Sequence, residues 1–421
     1  MDNASAAENE EDQSGYLELI STNVNFRRLW IGTIVSQLGD WFNTIALYSL
    51  VASLTGSPLA MGAVFLFKLL PWALVSPLAG VIVDRYNRRK IMIISDLLRA
   101  VVVLGFIFID SKEQVGLVYV LITLQVVLGA VFLPSKSASI PNITSKRELL
   151  TANALSAATW SVMLAMGAGL GGIATQYLGV NTVFLLDSLT YLVSAYFIFR
   201  TQIPQTTDTV ANGNLIGSAY KEIMEGWAYM RSEPKVGRIA LAKATWAVGG
   251  GATVFMLTLL GQQVMPSAQA AGIGILFFAR GLGTGIGPIV SRALFKDQLK
   301  WPAVLGASII VSGVFYATLG WTSSILWIIV AVVIAHSASG ANWVLATVLL
   351  QQRAADRLRG RVFGSEWLFV LFMESVSIFC ASLVLEMELF SLQHAFVFFA
   401  MLQVLCGILW LLIIVPAERK H

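Results

Sequence analysis

Twelve apolar runs, each long enough to cross a bilayer, constrain this chain more than any other feature. A spanning helix needs roughly 20 consecutive apolar residues. Breaks at charged or Gly/Pro/Asn clusters place the runs at about 28–53, 59–83, 91–110, 115–134, 152–176, 181–200, 238–263, 269–292, 301–320, 324–349, 362–386 and 392–415. Of the 421 residues, 57% are hydrophobic and 12% charged. Soluble domains carry about 25% charged residues, so a soluble fold could not cover this much apolar surface. The sequence predicts an all-α integral membrane protein. The longest polar stretch, 201–235, divides it into two six-helix halves.

The loops test that count independently. With the N-terminus inside, the inner segments hold 23 of the 28 Lys and Arg residues, and the outer loops hold only Lys112. The positive-inside rule requires such a bias, and one missed helix would scramble it. Both termini are therefore expected in the cytoplasm. Residues 1–20 are polar and acidic, unlike a signal peptide. The expected organisation is a disordered tail over 1–25, bundles over 26–200 and 236–415, a cytoplasmic linker over 201–235 and a short tail over 416–421.

The halves also repeat each other. Gly80-Val-Ile-Val-Asp84-Arg85 answers Gly287-Pro-Ile-Val-Ser291-Arg292 at an offset of 207, and Glu148-Leu149-Leu150 answers Asp356-Arg357-Leu358 at 208. Arg28 and Gly39 answer Arg238 and Gly249 at 210. Parallel six-span repeats imply two lobes with a binding cavity between them.

The stretch Gly80-Val-Ile-Val-Asp84-Arg85-Tyr86-Asn87-Arg88-Arg89-Lys90, between spans two and three, resembles the loop signature of the major facilitator superfamily, G-x-x-x-D-R-x-x-R-R/K. Gly80 removes a side chain where helices approach closely. Asp84 can face a helix N-terminus, and Arg85, Arg88 and Arg89 can bind carboxylates or lipid headgroups. The resemblance implies that the loop latches the lobes in the outward-open state, with Glu366 as a partner.

Four further stretches resemble the macrolide-efflux and enterobactin-exporter branch. They are 25–30 with 36–40, Ser95-Asp96-Leu97-Leu98-Arg99, 149–155 and Leu358-Arg359-Gly360-Arg361-Val362. Span five, Gly167-Ala168-Gly169-Leu170-Gly171-Gly172, lacks the proline that antiporters of the superfamily often carry there. Span four has Gln125 and Gly129 but no arginine. The resemblance implies a monomeric exporter of an amphiphilic organic solute (drug-, macrolide- or siderophore-like), working by proton antiport and alternating access. A lysophospholipid carrier of the same fold, or a non-transporting sensor or scaffold, are the alternatives.

Charges within spans are costly and mark candidate sites. At 1.5 Å per residue, Asp40, Arg280 and Glu374 lie roughly 18 Å from the inner ends of their spans, and Lys68 roughly 24 Å. Asp40 continues a stripe of Gln37, Asn43 and Thr44 on one helix face. It reads as a proton- or substrate-binding carboxylate, or as a structural partner of Lys68. Glu374 reads as a proton carrier or as a partner of Lys68 or Arg280. Arg280 either neutralises an anionic solute or pairs with Glu374. Lys243 reads as snorkelling to the interface, Asp96 and Arg99 as pairing with each other, and Asp187 as a peripheral buttress. Trp41, Phe42, Tyr48, Trp246 and Trp343 are candidates to stack on a solute. The three histidines have no ligand spacing, and no metal, cofactor, nucleic-acid partner or enzymatic nucleophile is expected.

Overall fold

The computed structural model describes residues 14–205 and 215–419, except the side chains of Pro77, Gly80, Val81, Asp84 and residues 215, 216 and 218–220. Among the described residues there is no strand. The helices are α1 (Tyr16–Thr22), α2 (Val24–Thr55), α3 (Pro58–Arg85), α4 (Arg88–Leu104), α5 (Val115–Ile143), α6 (Lys146–Leu178) and α7 (Val180–Phe199). They continue as α8 (Leu215–Ser232), α9 (Pro234–Ala240), α10 (Ala242–Val264), α11 (Gln269–Leu294), α12 (Trp301–Ala317), α13 (Ile325–Arg353), α14 (Arg359–Glu386) and α15 (Leu392–Leu409). A π turn, Trp410–Ile414, then leads into α16 (Val415–Arg419).

Local chemistry sets the boundaries. Asn23, Ser57, Asn87 and Ser145 each accept from a backbone N–H in the first turn of the helix that follows, replacing a bond the helix itself cannot make. Gly56, at φ 62, ends α2 in the left-handed conformation that costs glycine nothing. Among the described residues, eleven helices are long and apolar enough to cross a membrane. The twelfth, α2, has 32 residues but lower apolarity, because Gln37, Asp40, Asn43 and Thr44 interrupt it.

Each lobe repeats one packing plan. In the first, α2 packs on α6 and α7, α4 on α5 and α7, and α3 on α5; in the second, α10 packs on α14 and α15, α12 on α13 and α15, and α11 on α13. The sequence repeat has a steric origin. Gly39 lets α2 approach Thr190 and Asp187 of α7, and Gly249 lets α10 approach Phe399 and Gln403 of α15. Arg28 donates to the Arg200 carbonyl at the end of α7 (2.6 Å), while Arg238 pairs with Glu418 beyond α15 (2.6 Å). Outward-facing residues such as Val101, Tyr177, Ile289, Phe372 and Leu412 are exposed and apolar, as a lipid-facing surface must be.

The lobes meet through α6 against α11 and α3 against α14. One face of the molecule carries the basic loop 85–90; the opposite face is called the far face here. Near the far face, Ser57 donates to Glu386 (2.6 Å), Gly62 abuts Ser382, and Gly172 abuts Gly274.

Two expected segments differ from the sequence reading. The disordered tail assigned to 1–25 is folded from Ser14: Thr151 donates to the Ser14 carbonyl (2.7 Å) and Arg147 meets Glu18 (3.3 Å), holding α1 on α6. Residues 1–13 lie outside the described set. The linker contains α8, whose Glu225 pairs with Arg361 and whose Trp227 stacks on Phe369 of α14. Amphipathic spacing over 215–232 supplies that docked face.

Candidate functional site

Asp40 is the exposed member of an otherwise sealed polar cluster inside the first lobe. Tyr191 of α7 donates its hydroxyl to Asp40, and Gln125 of α5 donates to the Tyr191 oxygen at 3.0 Å. The Arg99 guanidinium of α4 lies 4.0 Å from Asp40 and 2.5 Å from Asp96. It is held between the rings of Phe132 and Tyr191, at 4.7 and 4.4 Å. Side-chain exposure is 40% for Asp40, 6% for Arg99 and 0% for Asp96. A carboxylate so placed can exchange a proton or a ligand with the space outside the cluster while hydroxyl and guanidinium hold its orientation.

The stripe beside Asp40 divides. Asn43 is buried and donates to Asp187 at 2.8 Å, bracing α2 against α7 in this conformation. Its backbone spacing matched Asp40, but three residues turn a helix far enough to send it inward. Asp187 is a fully buried brace, not a peripheral one. Gln37 keeps a buried Oε1 without a hydrogen bond. Lys68 donates to Thr44 (2.6 Å) and lies 5.8 Å from the Tyr48 ring centre. Its proposed salt bridge to Asp40 is not formed within 4.0 Å, because Tyr191 and Arg99 already occupy that carboxylate.

In the second lobe, Lys243 of α10 pairs with Glu366 of α14 at 3.0 Å, donates to Thr347 at 2.8 Å and sits 4.9 Å from the Trp343 ring centre. Both charged side chains are buried, with 4% and 1% exposure. This corrects two expectations: Lys243 does not snorkel, and Glu366 is engaged within its own lobe rather than offered to the basic loop. Trp246 is likewise packing, donating to Ser312 (3.3 Å) and lying edge-on to His336 and Trp343.

Arg280 and Glu374, expected as alternative partners, do not meet within 4.0 Å. Neither side chain makes an ion pair or a hydrogen bond among the described residues, and Arg280 Nε is buried without an acceptor. Around them, Phe277 reaches across the lobe boundary to Trp41 (6.5 Å) and Tyr48 (5.8 Å). Tyr48 stacks on Phe65 at 4.7 Å. Alongside, Ser377 of α14 accepts from the Ala252 N–H (3.0 Å) and donates to the Val248 carbonyl (2.7 Å), tying α14 to α10 next to Gly249-Gly250-Gly251.

The basic loop is anchored in its own lobe in this conformation. Arg88 donates to the Ala138 carbonyl and to Asn142, both at 2.9 Å, and Arg89 donates to the Ile198 and Phe199 carbonyls. These contacts place cations at the C-terminal ends of α5 and α7, where the helix dipoles favour them. Arg85 opens the loop, and Gly80 and Asp84 lie outside the described side chains.

Sequence reasoning missed Tyr191. Its position four residues after Asp187 puts both on one face of α7 and was the available signal. It also missed Glu418, which clamps Arg238 (2.6 Å) and Arg353 (2.7 Å); a tail carboxylate has no periodicity to betray it.

Comparison with known proteins agrees with this architecture. The sequence profile described as Major Facilitator Superfamily matches residues 29–373. The putative bacilysin exporter BacE of Bacillus subtilis is 26% identical over 341 residues, covering 81% of this chain and 83% of its own. Macrolide efflux protein A of Streptococcus pyogenes is 24% identical over 210 residues, 49% of this chain and 51% of that protein. The solved structure of the nucleoside transporter NupG superposes with a TM-score of 0.73 at 13% identity, covering 95% of this chain and all of that one. A bacterial homologue of the human lysosomal transporter Spinster, solved inward-facing and unoccupied, gives 0.68 at 15% identity, with 94% and 96% covered. The chain belongs to the major facilitator superfamily and is a multi-pass membrane transporter.

Proposed function

We propose that the chain exports an amphiphilic small organic molecule by proton antiport and alternating access, with Asp40 as the proton-binding carboxylate. The observation that carries this reading is the contrast in burial: Asp40 is 40% exposed while the Asp96–Arg99 pair bonded beside it is sealed. Similarity to an efflux protein and to an exporter supports the direction. The charge bias of the loops supports a cytoplasmic basic face and cytoplasmic termini in a bacterial plasma membrane. The contacts that join the lobes near the far face suit a monomer with its cavity opening toward the basic face. Lipid headgroups would meet the arginines there.

The test is the purified chain in proteoliposomes loaded with pyranine. A macrolide, an apolar dipeptide and lysophosphatidylcholine are each added under an imposed pH gradient. At least one solute should move protons, and Asp40→Asn should abolish that movement while leaving solute binding measurable. Solute movement indifferent to the gradient and to Asp40→Asn would sink proton antiport. Movement of the lysolipid alone would replace the organic solute by a lipid.

A further inference from the structure

We propose that Arg280 and Glu374 together bind a zwitterionic solute, one that carries a carboxylate and an ammonium on an apolar body. The proposal rests on the transporter reading of the cavity and names the class of its solute.

Within the spans, the other charged side chains described above all have partners. Arg99 holds Asp96, Lys243 holds Glu366, Lys68 donates to Thr44, Asp187 accepts from Asn43, and Asp40 accepts from Tyr191. Arg280 and Glu374 differ: opposite in sign, on two helices of one lobe and within electrostatic reach of each other, their side chains make no ion pair or hydrogen bond among the described residues, and Arg280 Nε is buried without an acceptor. An unpartnered charge at mid-membrane is costly. A structural pair would have closed to contact, which gives back part of that cost. Here the two groups sense each other without closing to within 4.0 Å.

Each of the two residues is seated by its own neighbours. Gly251 lets α10 lie directly on the Glu374 backbone, where a Cβ would stand 2.8 Å from the Glu374 carbonyl oxygen, and this seats that stretch of α14. Arg280 is backed by Phe277, whose ring centre lies 5.5 Å from the guanidinium carbon. Tyr48 of the other lobe lies within electrostatic reach of both charges and packs on Phe277 and Phe65. An aromatic ring from the opposite lobe therefore stands near both charges. A simple anion would satisfy Arg280 and be repelled by Glu374; a simple cation would meet the reverse. A molecule with both groups satisfies both, and its apolar part rests on the Tyr48 and Phe277 rings. The guanidinium fork suits a carboxylate in particular, since two parallel N–H bonds match its two oxygens.

The experiment measures binding to the full chain in detergent by thermal-shift titration. The probes are the dipeptide Leu-Phe, its N-acetyl form and its C-terminal amide. Leu-Phe should bind at least about tenfold tighter than either capped form, the worth of one charged hydrogen bond. In Arg280→Gln, Leu-Phe should fall to the affinity of its amide, while the amide keeps its wild-type affinity. In Glu374→Gln, Leu-Phe should fall to the affinity of the N-acetyl form. Equal binding of the three probes, tighter binding of a capped form, or no binding of any probe overturns the proposal. If Arg280→Gln does not fold, the wild-type ranking and the charge-retaining Arg280→Lys carry the test. The probe ranking without pyranine-detected proton flux would sink proton-coupled export and leave the zwitterion site standing; flux with a flat ranking would do the reverse.

Discussion

The Tyr191 hydroxyl donates to the Asp40 carboxylate and so ties α7 to α2 at the single exposed acid of the first-lobe cluster. The same hydroxyl accepts from Gln125, so α5, α7 and α2 share one hydrogen-bonded line. Any change in the Asp40 charge is felt along that line by two other helices. A proton arriving at an exposed carboxylate can in this way alter the packing of a buried lobe.

Tyr191→Phe should keep the ring between Arg99 and the lobe interior while deleting the donor. The expected cost is about 1 kcal/mol of stability, because Asp40 is exposed and water can replace the lost bond. Proton-coupled flux in pyranine-loaded liposomes should fall about tenfold, the rate equivalent of roughly 1.4 kcal/mol in the barrier. Wild-type flux in Tyr191→Phe would show that the hydroxyl only packs.

The buried Lys243–Glu366 pair makes a double-mutant cycle informative. Lys243→Met or Glu366→Gln alone strands a buried partner and should destabilise the chain by about 3–5 kcal/mol. The double variant should recover much of that loss. Thermal unfolding in detergent reads both, and additive losses would contradict a direct pair.

Gly172 and Gly274 test the seam between lobes. A Cβ on Gly172 would stand 2.8 Å from Gly274 Cα and 2.7 Å from the Ala270 carbonyl oxygen, and neither backbone atom can yield cheaply. Gly172→Val should cost about 1–3 kcal/mol by overpacking and reduce transport. Gly116→Ala, where a Cβ meets nothing within 4 Å, is the control and should behave as wild type. Unchanged melting of Gly172→Val would mean that the seam is looser than drawn here.

Ser377→Ala removes the hydroxyl that bonds both the Val248 carbonyl and the Ala252 N–H and so ties α14 to α10. Losing these bonds should cost about 1 kcal/mol of stability, read as a lower melting temperature in detergent. Hydrogen exchange of the 248–252 amides should quicken as the tie is lost. Unchanged melting and exchange would show that the hydroxyl does not hold the two helices together.

Apolar run length, the loop charge bias and the repeat near 208 made the membrane class, the two lobes and the helix count legible from the sequence. Each depends on the chain's own order and on the bilayer. The repeated Gly39 and Gly249 seat equivalent helix pairs, while Arg28 and Arg238 each reach the end of their lobe's last span, one to a carbonyl and the other to a carboxylate. The loop signature identified the family because its residues are contiguous.

Partnership among the buried charges was a different matter. Depth along a helix placed Asp40, Lys68, Arg280 and Glu374 within the bilayer, but pairing depends on which faces separate helices turn toward one another. Helices set far apart in sequence decide that, through the steric seating of glycines and aromatics. So Lys68 went to Thr44, Glu366 to Lys243 and Asp40 to Tyr191, while the Arg280 and Glu374 side chains were left without an ion pair or hydrogen bond among the described residues. The sequence by itself determined the solvent, the lobes and the family. Only tertiary packing, which sets the faces that distant helices turn toward one another, decided which of these charges are partnered.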